Sequence, residues 1–226
     1  MRMLERSDDV SYWIDFFKYL HSSGVVTLHS SFEYDSFDLL VQVLKELEVQ
    51  GIFFDHIVKL PEPGFNEINF DVNKFYLRLR EYKNQLPGEI VKIQWLWRSN
   101  VTEDMKLESF QDDWESISLA FGHLPVSCFP YTKSFAKLAI ESGLFDSLFI
   151  YWNENEQEFS DLFDDFHLKN INVFVIRPFA AGAIRDVTTA LDFCNRVPNL
   201  SGIVFTATSR DHLEPVIRYF ASYDYI

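Results

Sequence analysis

Residues 24–60, GVVTLHSSFEYDSFDLLVQVLKELEVQGIFFDHIVKL, read as one complete strand–helix–strand unit, and the rest of the chain repeats that reading. Gly24 ends a preceding helix in the left-handed conformation that glycine adopts without a Cβ penalty. The β-branched run 25–28 predicts a short strand. Beyond the polar stretch HSSFEYDS, Leu39, Leu40, Val43, Leu44 and Leu47 recur at helical spacing over 37–47. Residues 53–60 then return to an apolar, strand-like run. Two strands joined through a helix are parallel, since only a long crossover brings the chain back in the same direction.

Outward from this unit, strands are expected at 1–4, 89–97, 126–129, 148–152, 173–176 and 203–206. Helices are expected at 10–21, 73–82, 103–119, 134–141, 157–167, 183–196 and 211–220. With the opening unit this makes eight strand–helix pairs, the pattern of a (β/α)8 TIM barrel, shortened at its amino terminus and forming a single domain over 1–226. An open doubly wound sheet allows the same alternation, but no Gly-rich dinucleotide turn follows any of the strands.

The chain of 226 residues carries a formal net charge of −14, which repels phosphate backbones and anionic lipid heads. Nucleic acid and membrane surfaces are therefore not expected partners; a small-molecule substrate is, with a homodimer or a protein partner as a further possibility raised by the 23 phenylalanines. The amino terminus MRMLERSDDV lacks the apolar stretch of a signal peptide, so a cytoplasmic protein is expected. Cys128 and Cys194 read as reduced core thiols, and the six histidines show no metal-ligand spacing.

In a barrel, chemistry collects where the strands finish. The run 25–28 delivers His29, Ser30, Ser31 and then Tyr34, while 53–60 delivers Lys59 inside the otherwise apolar IVKL. A lysine in a buried strand is costly unless it meets a partner or a wet cavity. Beside a tyrosine, such a cation favours the phenolate and makes the phenol a usable proton donor. The plain alternative is a lysine that reaches the strand end and pairs with Glu62. Further along, Trp97 and Arg98 close the run 89–97, Asn153 follows 148–152, Arg177 follows 173–176, and Thr208, Ser209 and Arg210 open the last helix. Trp97, Arg98 and Glu5 are candidates for substrate contact.

These residues resemble the aldo-keto reductase superfamily. Gly24, VVTL, His29, Ser30 and Tyr34 fall in register with that family's strand and loop, in which an Asp-Thr precedes the catalytic Tyr. RPFAAG at 177–182 is similar to its turn after the seventh strand, and VPNLSGIVFTATSRDHLEPVI to its closing cofactor segment. The resemblance implies a (β/α)8 barrel that reduces carbonyls, sugar-like ones included, with NADPH or NADH. It makes Tyr34 the acid and Lys59 the group that tunes it. Two positions depart: His29 stands for the Asp that pairs with the Lys, and Leu96 for the His that orients the carbonyl. His29 is then a relay or substrate contact. Thr208, Ser209 and Arg210 would hold the cofactor's phosphate, with Arg177 and Asn153 as further cofactor contacts. The departures leave two other functions open: an acid–base isomerase or eliminase using Tyr34 and Lys59, and a non-catalytic barrel serving as a binding or assembly partner.

Overall fold

The computed structural model describes residues 3, 6–32, 34–60, 72–97, 119 and 122–222. Their strands are β1 (Thr27–Ser30), β2 (Asp55–Leu60), β3 (Ile90–Trp97), β4 (Val126–Pro130), β5 (Ser147–Tyr151), β6 (Asn172–Ile176) and β7 (Leu200–Val204). They lie in sequence order in one sheet, and every adjacent pair is parallel. The helices are α1 (Val10–Ser22), α2 (Phe37–Glu48), α3 (Val72–Gln85), α4 (Lys133–Ser142), α5 (Phe163–Leu168), α6 (Val187–Cys194) and α7 (Arg210–Ala221). The expected strand at 1–4 and helix at 103–119 fall outside the described residues, apart from the buried Met3 and the exposed Leu119.

The apolar residues separate by strand parity. Val58 and Leu60, Ile93 and Trp95, Leu148 and Ile150, Val173 and Val175 pack outward against Trp13, Phe17, Val43, Leu44 and Leu47 of α1 and α2 and their counterparts. Their strand neighbours Ile57, Phe129, Phe149, Tyr151, Phe174, Ile176 and Val204 meet in a second cluster. Successive strand residues face opposite sides, so a sheet with one apolar shell and one separate apolar plug is a sheet curled around its own interior. This is a nearly closed, shortened (β/α)8 barrel. The first and last units also meet: the Tyr12 hydroxyl of α1 donates to the Thr208 carbonyl at 2.7 Å.

Two glycines permit close approaches. A Cβ on Gly202 would lie 2.8 Å from the Phe174 ring, which stacks flat on Phe149 inside the barrel. A Cβ on Gly88 would sit 2.0 Å from the Phe54 carbonyl oxygen, and its φ of +99° suits glycine alone. Local chemistry sets the helix starts: Asp9, Thr132, Asp186 and Ser209 each accept a backbone N–H of the first turn. The helix expected at 157–167 begins only at Phe163, after a hydrogen-bonded turn at 153–156 and a short 3-10 turn at Ser160–Leu162. The one expected at 183–196 shortens to α6 because Asp186 caps it.

Candidate active site

At the finishing ends of β1 and β2, Tyr34 and Lys59 come together: the Lys59 ammonium lies 5.3 Å from the centroid of the Tyr34 ring. Strand parity puts Lys59 on the face of Ile57, toward the interior. Tyr34 sits in a double turn, its N–H donating to the Ser31 carbonyl at 3.3 Å and its own carbonyl accepting from Phe37 at 2.8 Å. Ser36 occupies the cap of the helix that follows.

Tyr82, fully buried on α3, links the two elements. Its hydroxyl accepts from the Phe32 N–H at 2.9 Å and donates to the Lys59 carbonyl at 3.2 Å. Its ring lies 4.0 Å from that of Phe32. The loop carrying Tyr34 and the strand carrying Lys59 are therefore held by one side chain from a third element.

His29 adjoins this pair. Its Nε2 is 2.7 Å from Gln94 Oε1, and since an amide oxygen only accepts, Nε2 carries the proton. The ring stacks on Phe149 at 5.8 Å, continuing the column of Phe149 and Phe174 through the barrel. Burial, and to a lesser extent the nearby Lys59 charge, lower its pKa to about 4, although the Gln94 hydrogen bond pulls the other way. At neutral pH His29 is thus an uncharged imidazole beside a cation. Gln94 is also the register partner of Lys59 on β3. The sequence reading passed over Gln94 and Tyr82; a lone Gln inside the apolar run IVKIQWLW was the available signal for the first.

Beneath this layer Lys92 enters the interior from β3, forms an ion pair with Asp146 and donates to Ser147 Oγ at 3.0 Å. On the helix-facing side of β1 and β2, the buried His56 donates through Nε2 to the Pro87 carbonyl at 2.9 Å and accepts at Nδ1 from Ser30 at 3.1 Å. Burial lowers its pKa as well, so it is a neutral structural bridge.

The remaining candidates lie elsewhere on the rim. Asn153, 1% exposed, donates from Nδ2 to Glu156 Oε2 at 2.6 Å and to the Arg177 carbonyl at 2.9 Å, while its Oδ1 accepts from the Asn155 N–H at 2.9 Å. Arg177 lies over the Tyr151 ring at 4.3 Å and pairs with Glu156 at 3.6 Å. Both residues thus serve the rim's own structure. Burial raises the Tyr151 pKa despite the Arg177 charge, so Tyr151 remains a phenol. At the start of α7, Ser209 caps the helix by accepting from the His212 N–H, Thr208 and Ser209 are half-buried, and Arg210 is exposed. The Arg210 guanidinium lies over Tyr19 at 4.9 Å and donates to the Asp15 carbonyl at 3.5 Å. Glu5, Glu62, Arg98 and the side chains of Leu96 and Trp97 lie outside the described residues, while Trp95 packs outward in the shell. No group of three or more potential metal ligands occurs among the described residues.

No family model and no curated protein matches the sequence. Solved structures do match the fold. An aldo-keto reductase from Bacillus halodurans, in its holo form, superposes with a TM-score of 0.76 at 12% identity, over 97% of this chain and 85% of that one. The glycerol dehydrogenase of Gluconobacter oxydans gives 0.61 at 11% identity, over 96% and 87%. A differently named barrel, DHDPS from Cyanidioschyzon merolae with lysine bound, gives 0.52 at 10% identity, over 96% and 70%. At 10–12% identity these likenesses show the fold, a (β/α)8 barrel.

Proposed function

We propose that the protein is an aldo-keto reductase-like oxidoreductase that reduces the carbonyl of a small, sugar-like substrate, with Tyr34 as proton donor. The observation that carries this reading is the approach of the Lys59 ammonium to the Tyr34 ring at the carboxyl rim. A cation there stabilises the phenolate left when the phenol gives its proton to the carbonyl oxygen. His29, uncharged, adds no like charge beside Lys59 and can accept or relay a hydrogen bond through Nδ1. The Phe149 and Phe174 rings beneath it keep water from the interior side of the site.

The residues fit a nicotinamide dinucleotide at its phosphate end. The first turn of α7 presents backbone N–H groups that no carbonyl of the helix satisfies, a ready environment for an anion. Arg210, exposed and held by a long hydrogen bond and a ring contact, is free to fork onto a phosphate, with Thr208 and Ser209 beside it. Asp211 in the same turn opposes an anion, and the Arg210 charge offsets it. When bound, NADPH supplies the hydride that attaches to the carbonyl carbon.

The test begins with NADPH titration followed by tryptophan quenching and calorimetry, then NADPH oxidation with a panel of aldehydes, ketones and sugars. Wild type should bind cofactor and turn over a carbonyl, and Tyr34→Phe should bind equally while turning over ~10²–10⁴-fold more slowly. Failure to bind NADPH at about 1 mM, an affinity weaker than about −4 kcal/mol, ends the reductase reading. A conversion that needs Tyr34 but no cofactor would instead favour an isomerase or eliminase built on the same pair.

A further inference from the structure

Gln94 is the only amide in β3, and its side chain is buried at 1% exposure. Strand parity places it with Lys92 on the interior face, opposite to Ile93 and Trp95 of the outer shell. A buried amide is costly unless its hydrogen bonds are made. Its Oε1 accepts from His29 Nε2 at 2.7 Å, so a side chain of β3 reaches past the intervening β2 to β1, at the level where Lys59 is its own register partner.

A neutral imidazole carries its proton on either nitrogen, and the hydrogen bond made by one nitrogen decides which. Two contacts hold this ring. Phe149 stacks on it, 25° from parallel, and fixes its plane, while Gln94 fixes its rotation within that plane. With the proton on Nε2, Nδ1 is left as an acceptor. The choice of an amide over a carboxylate matters as much. A glutamate at 94 would stabilise the imidazolium, which donates from both nitrogens and accepts at neither. Burial and the positive charges of Lys59 and the amino terminus oppose protonation of the ring, and the Gln94 hydrogen bond favours it. Phe149 brings no charge from β5, Lys92 on the Gln94 face is paired with Asp146, and Asp55 stands level with Thr27 at the start of β2.

We propose that Gln94 is a positioning residue of the Tyr34–Lys59 site: it holds His29 in one tautomer and one orientation, so that Nδ1 remains a hydrogen-bond acceptor beside that pair. Its effect on chemistry passes through the imidazole. The hold on His29 stands by itself, and only its consequence for turnover rests on the reductase reading.

Two variants separate this role from packing. Gln94→Glu keeps the shape and makes the acceptor anionic; Gln94→Leu removes the acceptor. The full chain, labelled with ¹⁵N-histidine, is followed by proton–nitrogen correlation NMR, with His29→Asn identifying the signals. Wild-type His29 should be neutral at pH 7 with its proton on Nε2. Gln94→Leu should mix the two tautomers, and Gln94→Glu should keep the imidazolium to a pH roughly one to two units higher than wild type. With NADPH and a carbonyl substrate, Gln94→Glu should lower kcat ~10-fold below that raised titration and recover above it, with KM unchanged. Gln94→Leu should lower kcat by a similar factor at every pH. Circular dichroism confirms that each variant is folded. A wild-type proton on Nδ1, or a tautomer indifferent to Gln94→Leu, overturns the proposal. So does a Gln94→Glu variant whose imidazole titration moves while its kcat profile stays that of wild type. Control of the tautomer by Gln94 in a protein that binds no NADPH would support the hold on His29 and remove only the reductase reading.

Discussion

Lys59 and Arg177 each hold a positive group over a tyrosine ring at the same rim, 5.3 Å from Tyr34 and 4.3 Å from Tyr151, yet their surroundings give the two pairs different chemistry. The Arg177 guanidinium has a carboxylate, Glu156, beside it, and burial of Tyr151 keeps that phenol protonated. The Lys59 ammonium faces the neutral His29, so its field on Tyr34 is not cancelled from that side. A cation over an aromatic ring is therefore no sign of a reaction site in itself; the two pairs differ in a neighbour of the cation, a carboxylate beside Arg177 and a neutral imidazole beside Lys59. The largest test of this contrast is Lys59→Met, which keeps the stem's volume and removes the charge. Carbonyl reduction should fall ~10²–10³-fold, with the basic limb of its pH profile moving upward as the Tyr34 phenol becomes a weaker acid. Equal losses in Arg177→Met would erase the distinction.

A second difference lies in support. Tyr82 ties the Tyr34 loop to the Lys59 strand through two hydrogen bonds, and the rim at Asn153 has its own clamp. Tyr82→Phe keeps the ring but removes the partner of a half-buried N–H and of a half-buried carbonyl. Denaturant unfolding should show a loss of about 2–3 kcal/mol. If Tyr82 positions the site as well as stabilising it, kcat should drop while KM for the carbonyl holds.

The alternation that defines the barrel was legible because it is a one-dimensional signal. Parity in the strands and the 3.6-residue stripe in α1 and α2 report burial directly, and the helix expected at 10–21 runs over Val10–Ser22. Tyr34 and Lys59 were legible for a related reason, since a polar residue at the end of an apolar run has few places to go. What escaped depends on contacts between distant parts of the chain. Nothing near Arg210 in the sequence foretells Tyr19 under its guanidinium, and nothing near Asn153 foretells that the Arg177 carbonyl will take one of its protons. The helix expected at 157–167 likewise begins only at Phe163, behind the 3-10 turn at Ser160–Leu162.

Acid tests the imidazole that separates the two pairs. The His29 pKa in the folded chain, about 4, lies below the ordinary 6.5, so between those values the unfolded chain binds more protons than the folded one. Stability from His29 is complete above pH 6.5, declines as pH falls toward 4, and levels off below. The full shift would correspond to ~3 kcal/mol, and partial exposure reduces the expected loss to about 2. His56 contributes in the same direction, so the measurement is the difference between wild type and His29→Asn in chemical denaturation from pH 7 to 4. Parallel curves would show that His29 is not held in its neutral form.

The smallest effect isolates the backbone under Arg177, whose φ of +58° is uncommon for a residue with a side chain. Arg177→Ala and Arg177→Gly both remove the ring contact and the ion pair with Glu156, losses of about 0.5–1 kcal/mol each at this half-exposed site. Only Gly also relieves the left-handed strain, by about 1 kcal/mol less its greater freedom in the unfolded chain. Arg177→Gly should therefore be more stable than Arg177→Ala by roughly 0.5 kcal/mol. Equal stabilities would mean that the Asn153 hydrogen bond to the Arg177 carbonyl, rather than the residue's own side chain, determines the conformation at no measurable strain. The Arg177–Tyr151 pair would then be a consequence of the rim's hydrogen bonds, whereas the Lys59–Tyr34 pair is set by the end of a strand.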